Sequence, residues 1–402
     1  MQPDGVAIAH PERVFIGGRW LAPHSGRLID LVSPDTEQVV GRVAEAGEAD
    51  MDAAVSAARA AFDNGPWPTV SPAERIAVFR RMIDHLEARV PELAKAWTAQ
   101  MGGLASFAGP MHQGSVMTLR QIAGFAEAFA FVERRPSHAA AAALIAHEPV
   151  GVVAAIAPWN GPFGIMANKV AYALLTGCTV IMKPSPETPL EACIIAEAAE
   201  AAGIPDGVVN LVTGHREASD HLVCNAGVDK VSFTGSTLAG KRIASVCGGR
   251  MARCTLELGG KSAAIVRDDF PIEVAAKVLT GTITMMSGQV CAMLSRVIVP
   301  RRRHDELAAA IAAEMKQVVI GHSDDPAAQL GPVAMKRQLE RVEMYIAEGR
   351  ATARPRDRGR TARASQPWLL HRTDPVRQRA QRQPHRAGGN LRPGAQPDPR
   401  GG

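Results

Sequence analysis

Apolar residues recur at two different spacings along the chain, and the change between them divides the sequence. Up to about residue 145 the spacing is mostly helical after a short β segment at residues 14–21. Helices are predicted over residues 49–62 and 72–101. The second of these starts at Ser71, which supplies an N-cap hydroxyl before a proline at the first helical position and an acid in the first turn.

From residue 150 the pattern becomes short apolar strands that alternate with helices. The predicted strands cover residues 150–157, 179–182, 208–212 and 230–233, and the helices cover residues 163–175, 189–202, 217–224 and 236–246. This alternation predicts parallel βαβ units whose sheet is covered by helices on both faces. Ligands of such sheets bind beyond the carboxyl ends of the strands, here residues 158–160, 183–185, 213–214 and 234–236.

A second α/β segment is predicted to begin near Leu258. Its strands cover residues 263–266 and 296–299, and its helices cover residues 272–286, 304–318 and 333–348. No internal repeat is evident.

Composition describes a large globular chain and limits the compartment. The 402 residues are 46% apolar and 21% charged, enough for two domains and a substantial core. No apolar run approaches the roughly 18 residues of a membrane helix, and no secretory signal is recognisable at the N-terminus. The six cysteines form no CxxC pair, so we expect reduced thiols and a cytoplasmic protein.

The net charge of +5 is unevenly distributed. Residues 351–402 hold 12 Arg, no Lys and 3 Asp, a local charge of +9, which leaves −4 for residues 1–350. We expect this Arg/Pro-rich tail to be disordered, because it has few large apolar side chains. A tail that binds RNA is one interpretation. A reading-frame error is the interpretation that the composition favours, because GC-rich codons out of register yield Arg, Pro, Gly and Ala.

Three motifs contain residue types that can carry chemistry. Cys291 follows Gly288 in a predicted turn, where a thiol near free N–H groups could act as a nucleophile; a lone cysteine is more often a small core residue. Glu257 lies between leucines, so we expect a partly desolvated carboxylate that can act as a base; the alternative is a solvent-facing residue of an edge strand. Ser236 opens a helix at a strand end, where N–H groups bind phosphate, or it is an ordinary helix cap.

Two other site types find little support. Residues 235–241 mimic a P-loop, but Arg242 stands where Ser or Thr should hold Mg²⁺, and these residues are predicted to be helical. No group of His or acidic residues has metal-ligand spacing, so no metal is assigned.

Five motifs together resemble landmarks of the aldehyde dehydrogenase superfamily, in the same order and at suitable spacing. They are Pro158-Trp159-Asn160, Lys183-Pro184-Ser185, Phe233-Thr234-Gly235-Ser236, Leu256-Glu257-Leu258-Gly259-Gly260-Lys261 and Gly288-Gln289-Val290-Cys291. The resemblance covers about residues 12–350. It implies an α/β fold with a helical region and a Rossmann-like dinucleotide-binding domain over residues 1–257, an incomplete α/β catalytic domain over residues 258–350, and the disordered tail over residues 351–402.

The resemblance also implies roles for individual residues. Cys291 would attack the aldehyde carbon, and the Asn160 amide with the Cys291 backbone N–H would stabilise the oxyanion. Glu257 would activate the water that hydrolyses the thioester to the acid. NAD or NADP would accept the hydride, with Lys183 on the adenosine ribose and the helix opening at Ser236 on the pyrophosphate. The full set of implied cofactor-binding residues is Pro158, Trp159, Lys183, Ser185, Gly214, Phe233, Thr234, Gly235, Ser236 and Leu258.

The chain departs from the family pattern in several places. NAD-using relatives often have a Glu where this chain has Pro186, and here Glu187 follows one residue later, so the choice between NAD and NADP stays open. Met286 and Ser287 stand where Asn is common, and Met293 stands where a small residue is usual.

Family features expected past Arg350 are not found in this sequence. They are a Glu–Phe pair on the nicotinamide ribose and a strand that pairs across the dimer in the family's homodimers and homotetramers. We therefore expect weak or no activity from this chain. The competing hypothesis is an inactive fold of this family whose basic tail binds RNA, although we do not expect a nucleic-acid or membrane partner.

Overall fold

The N-terminal region begins with two β-hairpins, in a computed structural model that describes residues 2–352. Its elements are β1 (Val14–Ile16), β2 (Arg19–Leu21), β3 (Leu28–Val32), β4 (Val39–Ala44), α1 (Glu48–Asp63), α2 (Pro72–Ala88), α3 (Val90–Met101) and α4 (Ala105–Ala128). The predicted β segment at residues 14–21 is confirmed as the antiparallel hairpin of β1 and β2. Gly17 and Gly18 form its turn with φ of 59° and 75°, which glycine adopts without steric cost. The hairpin of β3 and β4 was not predicted.

The prediction of a single helix over residues 72–101 is wrong, because this segment forms two helices, α2 and α3. Pro91 lacks the N–H that would continue the hydrogen bonds of α2. The chain therefore turns at Arg89 and restarts as α3. The predicted start of α2 is confirmed. Ser71 Oγ accepts from the Glu74 N–H at 3.3 Å, and the Glu74 carboxylate accepts from the Ser71 N–H at 3.1 Å.

The alternating strands and helices after residue 150 are confirmed. A short antiparallel pair, β5 (Val132–Arg135) and β6 (Ala143–Ala146), precedes them. Then follow β7 (Val152–Ile156), α5 (Pro162–Leu175), β8 (Thr179–Lys183), α6 (Leu190–Ala201), β9 (Val209–Leu211), α7 (Arg216–Cys224), β10 (Lys230–Gly235), α8 (Thr237–Gly249) and β11 (Arg253–Leu258). Every residue of β7, β8 and β9 is buried, as the continuous apolar runs require.

These strands form a seven-stranded sheet in the order β11-β10-β7-β8-β9-β1-β2. The five strands from β11 to β9 are parallel, and β1 and β2 extend the sheet antiparallel. One apolar core packs α2, α4, α5 and α6 against one face, and a second packs α1, α7 and α8 against the other. From β7 the chain continues outward through the sheet to β8 and β9, and from β10 it continues outward on the other side to β11. The topological switch point therefore lies between β7 and β10.

The second α/β segment contains β12 (Ala263–Ile265), α9 (Ile272–Thr284), β13 (Arg296–Ile298), α10 (His304–Gln317) and α11 (Lys336–Thr352). The two strands and the three helices were predicted within a few residues at their ends; the parallel pairing of β12 with β13 was not predicted. This segment has its own small core of α9 and α10 side chains, including Ile272, Leu279 and Leu307. All residues of β13 are exposed.

Residues up to Glu343 form one compact unit, and a domain boundary at residue 257 stays a prediction. The predicted tail falls outside the described residues except for its first two, which end α11. Within residues 2–352, no helix is both long and apolar enough to cross a membrane.

A buried polar network links α3, α4 and α6 behind the sheet edge. The Glu191 carboxylate contacts His112 Nε2 at 2.8 Å and accepts from Gln100 Nε2 at 3.0 Å, and all three residues are at most 2% exposed. His112 Nδ1 donates to the Ala108 carbonyl at 2.7 Å, because a carbonyl can only accept. One proton is therefore shared between His112 Nε2 and Glu191, which satisfies both side chains without water.

Candidate functional site

The predicted ligand-binding residues lie along one edge of the parallel sheet. Ile156 at the end of β7 pairs with Lys183 on one side and with Phe233 on the other, and Gly235 pairs with Leu258. The loops that leave β7 and β10 flank the switch point. Parallel sheets bind ligands at this position, so the fold brings together motifs that are up to 100 residues apart in sequence.

Asn160 is held from two sides in the loop after β7. Its backbone carbonyl accepts from Trp97 Nε1 at 3.1 Å, and its side-chain amide donates to the Gln289 carbonyl at 2.7 Å. Gln289 in turn accepts the Ala334 N–H on its side-chain oxygen at 3.0 Å. The Asn160 amide therefore lies beside the loop that carries Cys291, and its second N–H is available to another acceptor.

The neighbours of Asn160 in its motif contribute packing. Pro158 and Trp159 are half-buried. Trp159 packs in an apolar cluster with Trp97, Met286 and Met335. This cluster supports both the Asn160 loop and the turn before Cys291.

Cys291 lies in an exposed turn between α9 and β13. The alternative of a small buried core residue is therefore wrong. The loop that follows β11 runs beside this turn, because a Cβ built on Gly260 would lie 3.6 Å from the Cys291 carbonyl oxygen. The motif at residues 256–261 and the thiol motif are thus adjacent in space.

The expected desolvation of Glu257 is wrong. β11 is the outermost strand of the sheet within the described chain, and the Glu257 side chain is exposed. Its two leucine neighbours point elsewhere: Leu258 packs against α8, where a Cβ on Gly240 would lie 2.6 Å from Leu258 Cδ2. Alternation along a strand sends neighbouring side chains to opposite faces, so flanking leucines do not bury the residue between them.

Lys169 in α5 is a residue that sequence reasoning missed. Its ammonium contacts Ser232 Oγ at 3.1 Å and interacts electrostatically with Glu257. Burial lowers the pKa of Lys169 to about 8, although the Glu257 charge opposes this shift. The available signal was a single charged residue within the otherwise apolar and neutral sequence of α5.

Lys183 ends β8 with its side chain only 7% exposed. Burial lowers the pKa of Lys183 to about 8, and the nearby Glu187 charge opposes the shift only in part. Within residues 2–352 this ammonium has no hydrogen-bond partner. A buried cation without a partner fits a ligand that brings oxygen acceptors, such as the hydroxyl groups of a ribose.

Glu187, one position later than the Glu of many relatives, is already engaged. Its two carboxylate oxygens accept from Ser185 Oγ and from Arg337 Nη1. Burial alone would raise the pKa of Glu187, but these two hydrogen bonds outweigh it and hold the pKa below its ordinary value. Glu187 is therefore a paired carboxylate.

The start of α8 is an open anion-binding position. Ser236 caps the helix by accepting the Ala239 N–H at 3.3 Å, and both Ser236 and Thr237 are exposed. The free N–H groups of this first turn face solvent at the switch point, which suits a phosphate. Thr234 is buried, and Gly235 packs on the Phe233 ring, since a Cβ there would lie 2.5 Å from Phe233 Cζ.

Gly214 has a packing role that its motif did not reveal. A Cβ on Gly214 would lie 2.8 Å from the Ala46 carbonyl oxygen, and the adjacent Thr213 carbonyl accepts the Ala46 N–H at 2.7 Å. The glycine thus allows the N-terminal chain to approach β9 closely.

Two weaker interpretations can now be judged. The P-loop mimic lies mostly within α8, so its residues cannot form a phosphate-binding loop. Among residues 2–352, no group of three or more His, Cys, Asp or Glu side chains could hold a metal ion.

The turn before Cys291 has an unusual backbone. Met286, Ser287 and Gly288 all have left-handed conformations, with φ of 50°, 56° and 74°. Glycine adopts this region freely, and Asn adopts it far more readily than Met. Ser287 Oγ donates to the Gly331 carbonyl at 2.9 Å and so helps to hold the turn in place.

This site defines a class: a parallel-sheet dinucleotide-binding protein with an exposed thiol and a carboxylate beside the cofactor edge. A sequence model described as "Aldehyde dehydrogenase family" matches residues 20–373. The chain belongs to the aldehyde dehydrogenase family, whose members are NAD(P)-dependent oxidoreductases.

Named relatives and solved structures agree with this assignment. The chain is 39% identical to the geranial dehydrogenase of Castellaniella defragrans over 85% of its own length and 72% of that protein. It is 36% identical to a phenylacetaldehyde dehydrogenase of Pseudomonas fluorescens, over 86% of its length and 70% of that protein. A Mycobacterium tuberculosis aldehyde dehydrogenase complexed with NAD⁺ superposes with a TM-score of 0.83 and 39% identity, over 88% of this chain and 74% of that one.

We predict that Met286→Asn is better tolerated than Met285→Asn. The two variants make the same chemical change at adjacent half-buried positions, but only Met286 has a positive φ. The free energy of unfolding should be higher for Met286→Asn by about 1 kcal/mol, because Asn relieves left-handed strain only there. Urea denaturation of both variants measures the difference. Equal values, or a more stable Met285→Asn, would show that the turn stores no strain.

Lys183 should make the stability of the protein depend on pH. Its pKa is about 8 in the folded state and 10.5 as a free side chain. Below pH 8 both states carry the proton and the cost of the buried charge is fully present. Between pH 8 and 10.5 the unfolded state binds more protons, so stability rises with pH.

Relative to Lys183→Met, the unaltered protein should therefore gain on the order of 3 kcal/mol in unfolding free energy across this interval. Urea denaturation at several pH values measures the difference between the two proteins. A difference that stays constant or falls as the pH rises would contradict the burial of a charged Lys183.

Proposed function

We propose that this chain oxidises an apolar aldehyde to the carboxylic acid with NAD or NADP as the hydride acceptor and Cys291 as the nucleophile. The observation that carries the proposal is the hydrogen bond from the Asn160 amide to the Gln289 carbonyl, two residues before Cys291. This bond links an amide donor to the turn that carries Cys291, which supports the proposal.

The first step forms a bond between Cys291 Sγ and the aldehyde carbon. The carbonyl electron pair moves to oxygen, and the resulting oxyanion needs donors that are already in position. The second N–H of the Asn160 amide and the backbone N–H of Cys291 supply them. Trp97 and Gln289 fix Asn160 from both sides, so little reorganisation is needed when the charge develops.

The second half of the reaction releases the acid. Bound NAD(P)⁺ would supply the hydride acceptor for oxidation of the thiohemiacetal of Cys291 to a thioester. Glu257 then takes a proton from water, the hydroxide attacks the thioester carbon, and the carbon–sulfur bond breaks to return the thiolate. Lys169 interacts electrostatically with Glu257, so a cation lies near the residue proposed to take this proton.

The cofactor would lie along the sheet edge. Lys183 would hold the adenosine ribose and the first turn of α8 the pyrophosphate, since the partnerless ammonium and the exposed N–H groups fit these groups. Pro158, Trp159, Ser185, Phe233, Thr234, Gly235 and Leu258 would shape this surface. Gly214 would act through its packing on residue 46.

A cavity beside the site supports an apolar substrate. It has a volume of about 130 Å³, and Gly161, directly after Asn160, is one of its lining residues. Its polar lining residues are Ser115, which donates to the Met111 carbonyl, and His112 and Glu191, which are bonded to each other. The other lining residues are Met111, Phe163, Gly164 and Ile165. The names of the two relatives above, which concern geranial and phenylacetaldehyde, are consistent with this chemistry.

The cellular setting follows from weaker observations. All six cysteines are free, which suits a reducing compartment, and we propose the cytoplasm. A homodimer or homotetramer stays a prediction.

The decisive experiment follows reduction of NAD⁺ and NADP⁺ at 340 nm (the absorbance of the reduced cofactor) with phenylacetaldehyde or geranial. Aldehyde-dependent reduction by the 402-residue protein should fall by roughly a thousandfold or more in Cys291→Ala, because the nucleophile is lost. Even a low initial rate is informative if it depends on this thiol.

Cys254→Ala is the matched control, because Cys254 is also an exposed thiol but lies at the opposite end of β11 from Glu257. It should keep its rate within about twofold. An aldehyde-dependent activity that survives in Cys291→Ala would refute the proposed function.

A further inference from the structure

A cation that the cofactor motifs do not include contacts the loop after β8. Arg337, the second residue of α11, donates through Nη1 to Glu187 Oε1. Sequence separation between the two residues is 150 positions, so the pair connects the start of α11 to the end of β8. Arg337 is 57% exposed, and its guanidinium has further N–H donors that face outward.

Both carboxylate oxygens of Glu187 already accept a hydrogen bond from this chain. Ser185 Oγ donates to Oε2 while Arg337 occupies Oε1. A free carboxylate at a ribose site accepts the 2′-hydroxyl of NAD and repels the 2′-phosphate of NADP. A carboxylate that is neutralised by an arginine exerts little of this repulsion.

The charges around the loop therefore sum to a positive value. Lys183 and Arg337 are cationic and Glu187 is the one anion among the three groups. Glu187 interacts with each of the two cations. A phosphate monoester is a better match to such a set than a neutral hydroxyl, and arginine binds phosphate oxygens in a fork geometry.

We propose that Arg337 is a specificity residue that makes this chain accept a 2′-phosphorylated dinucleotide, NADP, in preference to NAD. The proposal rests on the proposed function in one respect, the placement of the adenosine ribose at Lys183. In it, Arg337 neutralises Glu187 and offers its remaining N–H groups to the 2′-phosphate.

Binding of adenosine fragments tests the proposal without catalysis. Isothermal titration calorimetry of the 402-residue protein would compare adenosine 2′,5′-bisphosphate with adenosine 5′-monophosphate, which differ only in the 2′-phosphate. The bisphosphate should bind roughly tenfold more tightly, the effect expected of one charge-assisted contact. Arg337→Gln should remove this preference by weakening the bisphosphate, with the monophosphate changed by less than about twofold.

Further variants separate recognition from folding. Arg337→Lys keeps the charge and should retain part of the preference, whereas Glu187→Gln should strengthen bisphosphate binding because it removes the one anion. Arg120→Gln is the matched control, since Arg120 also pairs with surface carboxylates, and it should leave both affinities unchanged. Circular dichroism melting confirms that each variant is folded.

Several results would overturn the proposal. Tighter or equal binding of the monophosphate would do so, as would absence of binding by both fragments or an equal loss of both in Arg337→Gln. Failure of the proposed function is distinguishable, because a bisphosphate preference without any aldehyde oxidation would leave Arg337 in its role. Conversely, turnover with NAD⁺ and no bisphosphate preference would support the proposed function and overturn the role of Arg337.

Discussion

The hydrogen bond between the Asn160 amide and the Gln289 carbonyl is the contact on which the site depends. It joins the loop at the switch point of the parallel sheet to the turn that carries the thiol, across 129 residues of sequence. One such bond contributes only about 1 kcal/mol to stability. Its importance is geometric, because an oxyanion is stabilised only by donors that are already aimed at it. Trp97 and Ala334 extend the contact, so helix α3 and the segment before α11 also hold the site.

Electrostatics reinforces this geometry along the same edge. Lys169 and Lys183 are both buried enough for their pKa values to fall to about 8. Keeping cations in such positions costs stability, and a ligand with several negative oxygens offsets that cost when it binds. Arg337 adds a third positive charge beside Glu187. A dinucleotide is therefore matched to the edge by charge as well as by the open start of α8.

Sequence patterns predicted what is local or strongly periodic. The apolar strands from β7 to β10, the cap at Ser71 and the order of the site motifs all follow from neighbouring residues. The β3–β4 hairpin was missed although Ile29 and Leu31 alternate with exposed positions, because five residues carry little signal. The break between α2 and α3 at Arg89 was missed because the apolar stripe continues across it, although Pro91 interrupts the helical hydrogen bonds. The sequence left the exposure of Glu257 open between two interpretations, since it depends on which strand lies outside β11. The proximity of Lys169 to Glu257 likewise arises from the pairing of β10 with β7 and β11.

We propose that Cys291 forms a covalent acyl intermediate which Glu257 helps to hydrolyse. Intact-protein mass spectrometry of Glu257→Gln, quenched in acid after exposure to phenylacetaldehyde and NAD(P)⁺, tests it most directly. We expect one adduct, located on the peptide that contains Cys291. It should increase the protein mass by the mass of the aldehyde less two hydrogens. One hydrogen leaves as the thiol proton and the other as hydride. An adduct on another residue, an adduct with the full mass of the aldehyde, or no adduct would contradict the account.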